Sequence, residues 1–231
     1  MGAILLIRHG QASFGAANYD KLSPTGEQQA EVLGRALHPR LRRVDRLQTG
    51  SMLRHKQTAE GCLKGLSRFQ LQREENPGWN EYDHEEVIHR YRPAYKNRAL
   101  MMADMAKSLN PRRAFQDMFA QAIERWMEGQ HDAEYAESWP VFRQRCLQAL
   151  HDLRESMGKG ETALVFTSGG VITAIAQELM GIPAQNIFRL NWTLANCGIS
   201  KVIYSDRGMF LSSLNEHTAF EGDFAELVTY R

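Results

Sequence analysis

The stretch ILLIRHG, Ile4 to Gly10, decides the fold. AILLI at 3–7 is a short, unbroken apolar run, the pattern of a strand buried on both faces, and a turn-prone glycine follows it. Between run and glycine stand Arg8 and His9, so a buried strand ends in two side chains suited to handling an anion.

The rest of the chain alternates around this strand. A helix is predicted over about 25–38, with Ser23 as N-cap, Pro24 in the first turn and Ala30, Leu33, Ala36 and Leu37 at helical spacing. VDRLQTG (44–50) reads as a second strand, 52–66 returns to a helical period, and FQLQR (69–73) alternates like a third strand. From about 82 to 138 no strand pattern stands out, and Arg, Tyr, Met and Gln are dense. There Phe115, Met118, Phe119, Ala122, Ile123 and Trp126 mark an amphipathic helix, and we read the region as a helical insertion capping one edge of the core. A helix over about 140–157, the strand TALVF (162–166), a Ser-Gly-Gly turn and a helix over 171–179 follow. FRLNWTL (188–194), GISKVIYS (198–205) and MFLSSLN (209–215) read as closing strands. The expected architecture is a single α/β domain over 1–231, a mostly parallel central sheet with helices on both faces plus the cap, with ligands at the carboxyl ends of the strands.

Composition narrows the function classes. In 231 residues, 28 Lys and Arg face 27 Asp and Glu, and a net charge of +1 gives no reason to expect nucleic acid or a membrane surface as partner. Cys62, Cys146 and Cys197 are odd in number and widely spaced, with neither a CxxC nor metal-ligand spacing, which suits a reducing cytoplasm. The N-terminal apolar run is too short for a signal-peptide core, and Leu6 stands where a myristoylation signal needs Ser or Thr. A cytoplasmic location is the expectation. Nothing in the apolar pattern predicts an oligomeric state.

Three strand ends carry chemistry. RHG follows the first strand, TGSMLRHKQTA follows the second and opens a helix, and TSGG follows the late strand and opens another. On one rim, Arg8, His9, Arg54 and the backbone of 168–170 can converge. Guanidiniums offer bidentate hydrogen bonds to phosphoryl oxygens, and helix starts offer unpaired N–H groups. A histidine inside such a cage, its protonation depressed by the arginines, can attack phosphorus. No GxGxxG follows the first strand, which removes the dinucleotide-binding alternative.

RHG (8–10), LSPTGEQQA (22–30), SMLRHKQTAE (51–60) and WNEYD (79–83) together resemble the signature segments of the histidine phosphatase superfamily, also called phosphoglycerate mutase-like. The resemblance spans about 3–81 and 140–215. It implies a phosphoglycerate mutase-like fold and hydrolysis of a phosphomonoester through a phosphohistidine on His9. Arg8 and Arg54 would bind the phosphoryl group, and Glu81 would be the proton donor. It implies no metal and no cofactor, since arginines supply the charge neutralisation, and a small phosphorylated substrate or inorganic phosphate as ligand. The mutase branch is disfavoured, because Phe14-Gly15 and WNEYDHEEV replace that branch's Trp-Asn pair and its longer stretch around the acid.

One departure stands out. The family's second histidine lies in a Ser-His-Gly-Gly type of turn, and here Thr167-Ser168-Gly169-Gly170 puts a serine in its place. A hydroxyl can donate a hydrogen bond but brings no charge. Loss of one such donor lowers turnover by about a hundred- to a thousandfold. Ser168, Gly169 and Asn196 are the candidate substrate contacts on this side, and His55, His84, His131 and His217 are the histidines available to compensate. Two readings stay open: a phosphomonoesterase weakened by Ser168, or a catalytically silent protein that binds a phosphate ligand on the same fold.

Overall fold

A computed structural model describes residues 1–13, 20–67 and 71–230. Its strands are β1 (Gly2–Arg8), β2 (Arg46–Thr49), β3 (Arg73–Glu75), β4 (Thr162–Thr167), β5 (Ile199–Ser205) and β6 (Gly208–Glu216). Its helices are α1 (Pro24–Leu37), α2 (Leu53–Leu66), α3 (His84–Tyr91), α4 (Arg98–Ala106), α5 (Pro111–Met127), α6 (Trp139–Ser156), α7 (Gly169–Met180) and α8 (Ala184–Thr193).

The six strands form one sheet in the order β3-β2-β4-β1-β5-β6. β1 to β4 run parallel, whereas β5 and β6 form an antiparallel hairpin beside β1. The unbroken apolar run of β1 now has its reason. Ile4 and Leu6 enter a core built with α6 and α7, while Leu5 and Ile7 enter a second core built with α1 and α2. A period-two strand buried on both faces leaves no polar position to show the alternation. In the register of β1 with β4, Arg8 stands opposite Thr167, so RHG and TSGG leave the sheet side by side.

The first helix starts as its sequence predicts: the Ser23 hydroxyl accepts from the Gly26 amide at 3.1 Å, and Pro24 occupies the first turn. The segment between β3 and β4 is helical throughout its regular structure, and side chains of Asp83, Asn97 and Asn110 cap α3, α4 and α5. The inner half of α5 sends Ala122, Ile123 and Trp126 into the larger core. Met118 joins Ile88, Tyr95 and Met105 in a separate small cluster.

Two elements differ from expectation. FRLNWTL is not a strand: its residues up to Thr193 complete α8, which follows Pro183 and buries Ile187, with Leu194 buried just beyond. Apolar residues at 187, 190 and 194 fit a helical period as well as a short strand, and the proline favours a helix start. Of the predicted strand at 69–73, Phe69 and Gln70 lie outside the described residues, as do Phe14 and Gly15, and the observed strand begins at Arg73. All of β3 is exposed, so only backbone pairing to β2 defines it and no buried face marks it in the sequence. Among the described residues, no helix is long and apolar enough to cross a membrane.

Candidate active site at the strand-end rim

His9 stands at the end of β1, 7 % exposed. Its amide donates to the Thr167 carbonyl at 2.8 Å, and its own carbonyl accepts from Asn196 Nδ2 at 3.0 Å. The ring nitrogen Nδ1 lies 2.7 Å from the Gly10 carbonyl, which can only accept, so the proton sits on Nδ1 and Nε2 keeps its lone pair. Burial, and after it the charges of Arg54 and Arg8 and the neighbouring His55, hold the pKa of His9 well below the usual histidine value. The imidazole is therefore neutral and nucleophilic at neutral pH. The arginines contribute, as the sequence suggests, but desolvation is the larger cause.

Both predicted guanidiniums reach this rim. Arg8 Nη1 donates to the Leu194 carbonyl and, at 3.2 Å, to that of Tyr230. Arg54, 7 % exposed at the first turn of α2, donates from Nη1 to Asp20 Oδ1 at 2.7 Å, and the other Asp20 oxygen accepts from the Leu53 amide at 2.7 Å. Nothing in the local sequence pattern ties Asp20 to Arg54. Loop closure alone brings them together.

Glu81 comes to the same place from the other core. Its Oε2 accepts from the Gly170 amide at 3.0 Å and its Oε1 from the Tyr82 amide at 3.3 Å. Burial of the carboxyl group is the largest influence on it and raises its pKa above the ordinary carboxylate value, while the two amides, Arg54 and Arg8 oppose the shift. A carboxyl group so placed can hold a proton and release it. The approach requires glycine at 170, because a Cβ there would lie 2.1 Å from Glu81 Oε1 and 2.9 Å from the Tyr82 ring. The loop bearing Glu81 is pinned from behind: Arg145 Nη1 donates to the carbonyls of Pro77, Gly78 and Asn80 at 3.0 to 3.1 Å while its other nitrogens pair with Glu137. Thr167 Oγ1 adds a bond to the Trp79 carbonyl at 2.6 Å. Arg145 lies 64 positions beyond the acid whose loop it holds, and sequence reasoning missed it.

Ser168 occupies the N-cap position of α7, and its Oγ lies 2.7 Å from His55 Nε2. The His55 ring faces His9 with centroids 5.7 Å apart and planes inclined by 33°. The other candidate histidines are placed differently. His131 bonds Glu134, His217 bonds the Asn215 carbonyl, and His84 opens α3, where burial, with a smaller part from Arg54, lowers its pKa against the opposing charge of Glu85. Asn196 uses its side chain on the backbone of His9 and on Thr229, whose hydroxyl donates to Asn196 Oδ1 at 2.9 Å, so it holds the loop bearing His9. Gly169 packs its backbone against Asn191 and Arg8. Beside the turn a narrow cleft is lined by Tyr82, Ile123, Trp126, Gly170, Thr173 and Asn191, so helix α5 forms part of its wall.

The rim therefore gathers a neutral imidazole with an available lone pair, two guanidiniums, a protonatable carboxyl group and the start of a helix. Among the described residues, no three His, Cys, Asp or Glu side chains are grouped as a metal ion would require.

The chain is similar to known proteins in sequence pattern and in fold. Residues 4–112 and 104–217 match the family model described as histidine phosphatase superfamily, branch 1. No curated protein matches the chain. Among solved structures, a phosphoglycerate mutase from Bacillus anthracis is similar at 18% identity and a TM-score of 0.65, covering 94% of both chains. A mutant phosphoserine phosphatase from Entamoeba histolytica, in complex with phosphoserine, is similar at 16% identity and a TM-score of 0.62, covering 93% of this chain and 97% of that one. A putative alpha-ribazole-5'-P phosphatase from Escherichia coli follows at 19% identity and a TM-score of 0.60, with 93% and 96% covered. Identities this low establish a shared fold and not a shared substrate.

Proposed function

The chain belongs to the histidine phosphatase superfamily, branch 1, and on that premise we propose that it hydrolyses small phosphomonoesters through a phosphohistidine formed on His9. The observation that carries this reading is the ring of His9: Nδ1 is committed to the Gly10 carbonyl, and the lone pair of Nε2 lies in a site shared with Arg8 and Arg54. In the first step Nε2 attacks phosphorus and the bond from phosphorus to the ester oxygen breaks. Glu81, whose hold on a proton burial strengthens, gives its proton to the departing alkoxide. In the second step the Glu81 carboxylate takes a proton from water as the water oxygen attacks phosphorus. The P–N bond breaks, and inorganic phosphate leaves. Arg8 and Arg54 neutralise the phosphoryl oxygens, the work a metal does elsewhere. The phosphoryl group competes with Asp20 for Arg54. The helical segment 82–138 acts as a cap whose α5 side chains meet the alcohol portion of the substrate.

A second reading rests on Ser168 alone. Without the charge of a second histidine, the same site binds phosphate and turns over little. Hydrolysis of an aryl phosphate without added metal separates the two. The phosphatase reading expects turnover that His9→Ala abolishes, falling by roughly four orders of magnitude or more. Undiminished hydrolysis by that variant defeats the mechanism. Turnover at background in the unaltered protein and its recovery in Ser168→His would favour the binding reading.

A further inference from the structure

An imidazole does reach the turn that lacks the family's histidine, but it comes from another element. His55 is the residue after Arg54 on α2, and its Nε2 lies 2.7 Å from Ser168 Oγ, with both residues 0 % exposed. The place is shaped for the ring: a Cβ at Gly50, just after β2, would lie 2.3 Å from His55 Nδ1 and 2.6 Å from Asn80 Oδ1, so a side chain there would displace it. Ser168 has the capping position of α7, yet its hydroxyl makes no capping bond and serves His55 instead.

The direction of that bond follows from the rest of the ring. Among the described residues Nδ1 of His55 has no hydrogen-bond partner. Burial, with the charge of Arg54 adding to it, keeps the ring neutral and so limits it to one N–H. Placed on Nδ1, that N–H would be a buried donor without an acceptor, which proteins tolerate less readily than a lone pair without a donor. The proton therefore sits on Nε2 and is donated to Ser168 Oγ. The serine's own hydroxyl proton is then not spent on His55.

Resting on the phosphoryl-transfer reading above, we propose that Ser168 and His55 form one donor unit for the phosphoryl group carried by His9. The Ser168 hydroxyl is the group that touches the phosphoryl oxygen, and His55 is the positioning residue that orients and polarises it. A bond accepted from a nitrogen donor strengthens the donation a hydroxyl makes onward. The serine in place of histidine is then a relocation of the imidazole by one hydrogen bond.

The test combines aryl phosphate turnover, calorimetric titration with inorganic phosphate and melting temperature, all without metal. Variants are Ser168→Ala, His55→Phe, their double combination, and His55→Gln, which keeps an N–H donor of similar reach. Ser168→Ala and His55→Phe are each expected to lower kcat and weaken phosphate binding by about tenfold to a hundredfold. The double variant should fall no further than Ser168→Ala alone, and His55→Gln should recover most of the loss. Unchanged kcat and phosphate affinity in folded His55→Phe, or a further tenfold loss when it is added to Ser168→Ala, overturns the proposal. If His55→Phe does not fold, failure of folded His55→Gln to exceed Ser168→Ala in phosphate affinity overturns it equally. If the unaltered protein hydrolyses nothing, the phosphatase reading fails while the phosphate titrations still decide the donor unit. If it binds no phosphate at millimolar concentration, both fall.

Discussion

The strand-end rim and the outer part of the helical excursion, α4 with the start of α5, are held by different forces. On the rim the groups that matter are tied to backbone: His9 to Thr167 and Gly10, Glu81 to Gly170 and Tyr82, and the Glu81 loop to Arg145 through three carbonyls. Those bonds belong to the sheet and its two cores, so they open only when the cores open. In the excursion, α4 buries one side chain, Met105, and its outer cluster is completed by Ile88, Tyr95 and Met118. Side-chain packing over so small a core gives way at much lower free energy than a six-stranded sheet. The cleft wall belongs with the rigid part, since Ile123 and Trp126 sit in the larger core, and the yielding part lies beyond it.

The sharpest way to break this comparison is at Glu81, the proposed proton donor. Glu81→Gln is expected to slow the first step, transfer from an alkyl phosphate to His9, by about a hundredfold to ten-thousandfold, and transfer from an aryl phosphate with a good leaving group far less. Equal slowing of that step for both substrates would remove Glu81 from protonation of the leaving group. Next in size is Gly170→Ala. Its methyl meets Glu81 Oε1 and the Tyr82 ring, so a loss of about 1–3 kcal/mol in urea unfolding is expected together with the activity loss of Glu81→Gln. Wild-type activity in that variant would show that the rim yields after all.

Acid titration sharpens the comparison at intermediate size. His9 and His55 both have pKa values lowered in the fold, so the unfolded chain takes up protons first. Their contribution to stability is complete above the unfolded histidine value of about 6.5 and is lost as pH falls toward the lowered values. Glu81, raised, acts with the opposite sign, gaining relative stability as pH falls through its raised value, and does so equally in a His55 variant. Relative to the unaltered protein, His55→Gln should therefore lose about 1.4 kcal/mol less for each pH unit below about 6.5. Parallel unfolding curves at pH 7 and pH 5 would contradict a neutral buried His55. The smallest effect is expected at Met105→Ala. Amide exchange across 98–118 should accelerate severalfold while aryl phosphate turnover stays within about twofold. A large loss of turnover would mean that the outer excursion is coupled to the rim.

Particular residues show how far the sequence could be read. Arg8, His9, Arg54 and the 168–170 turn were legible because each ends a strand or opens a helix, and such positions are marked by local periodicity and by turn residues. Glu81 was legible through its motif. The bounds of the exposed β3 and the nature of α8 were read wrongly where pattern is weakest, in a strand with no buried face and in a short apolar run that suits either period. Asp20, Arg145 and the bond between His55 and Ser168 were not legible, because their partners lie 34 to 113 positions away.

By itself the sequence determined the alternating α/β pattern, the buried first strand and the residues at its carboxyl edge, since these follow from spacing along the chain. The tertiary structure alone decided which imidazole stands beside Ser168. The sheet order sets β4 between β2 and β1, and this carries Ser168 to a place between the helix start bearing His55 and the strand end bearing His9. Strand order is a property of pairing across space, and no period in the chain records it.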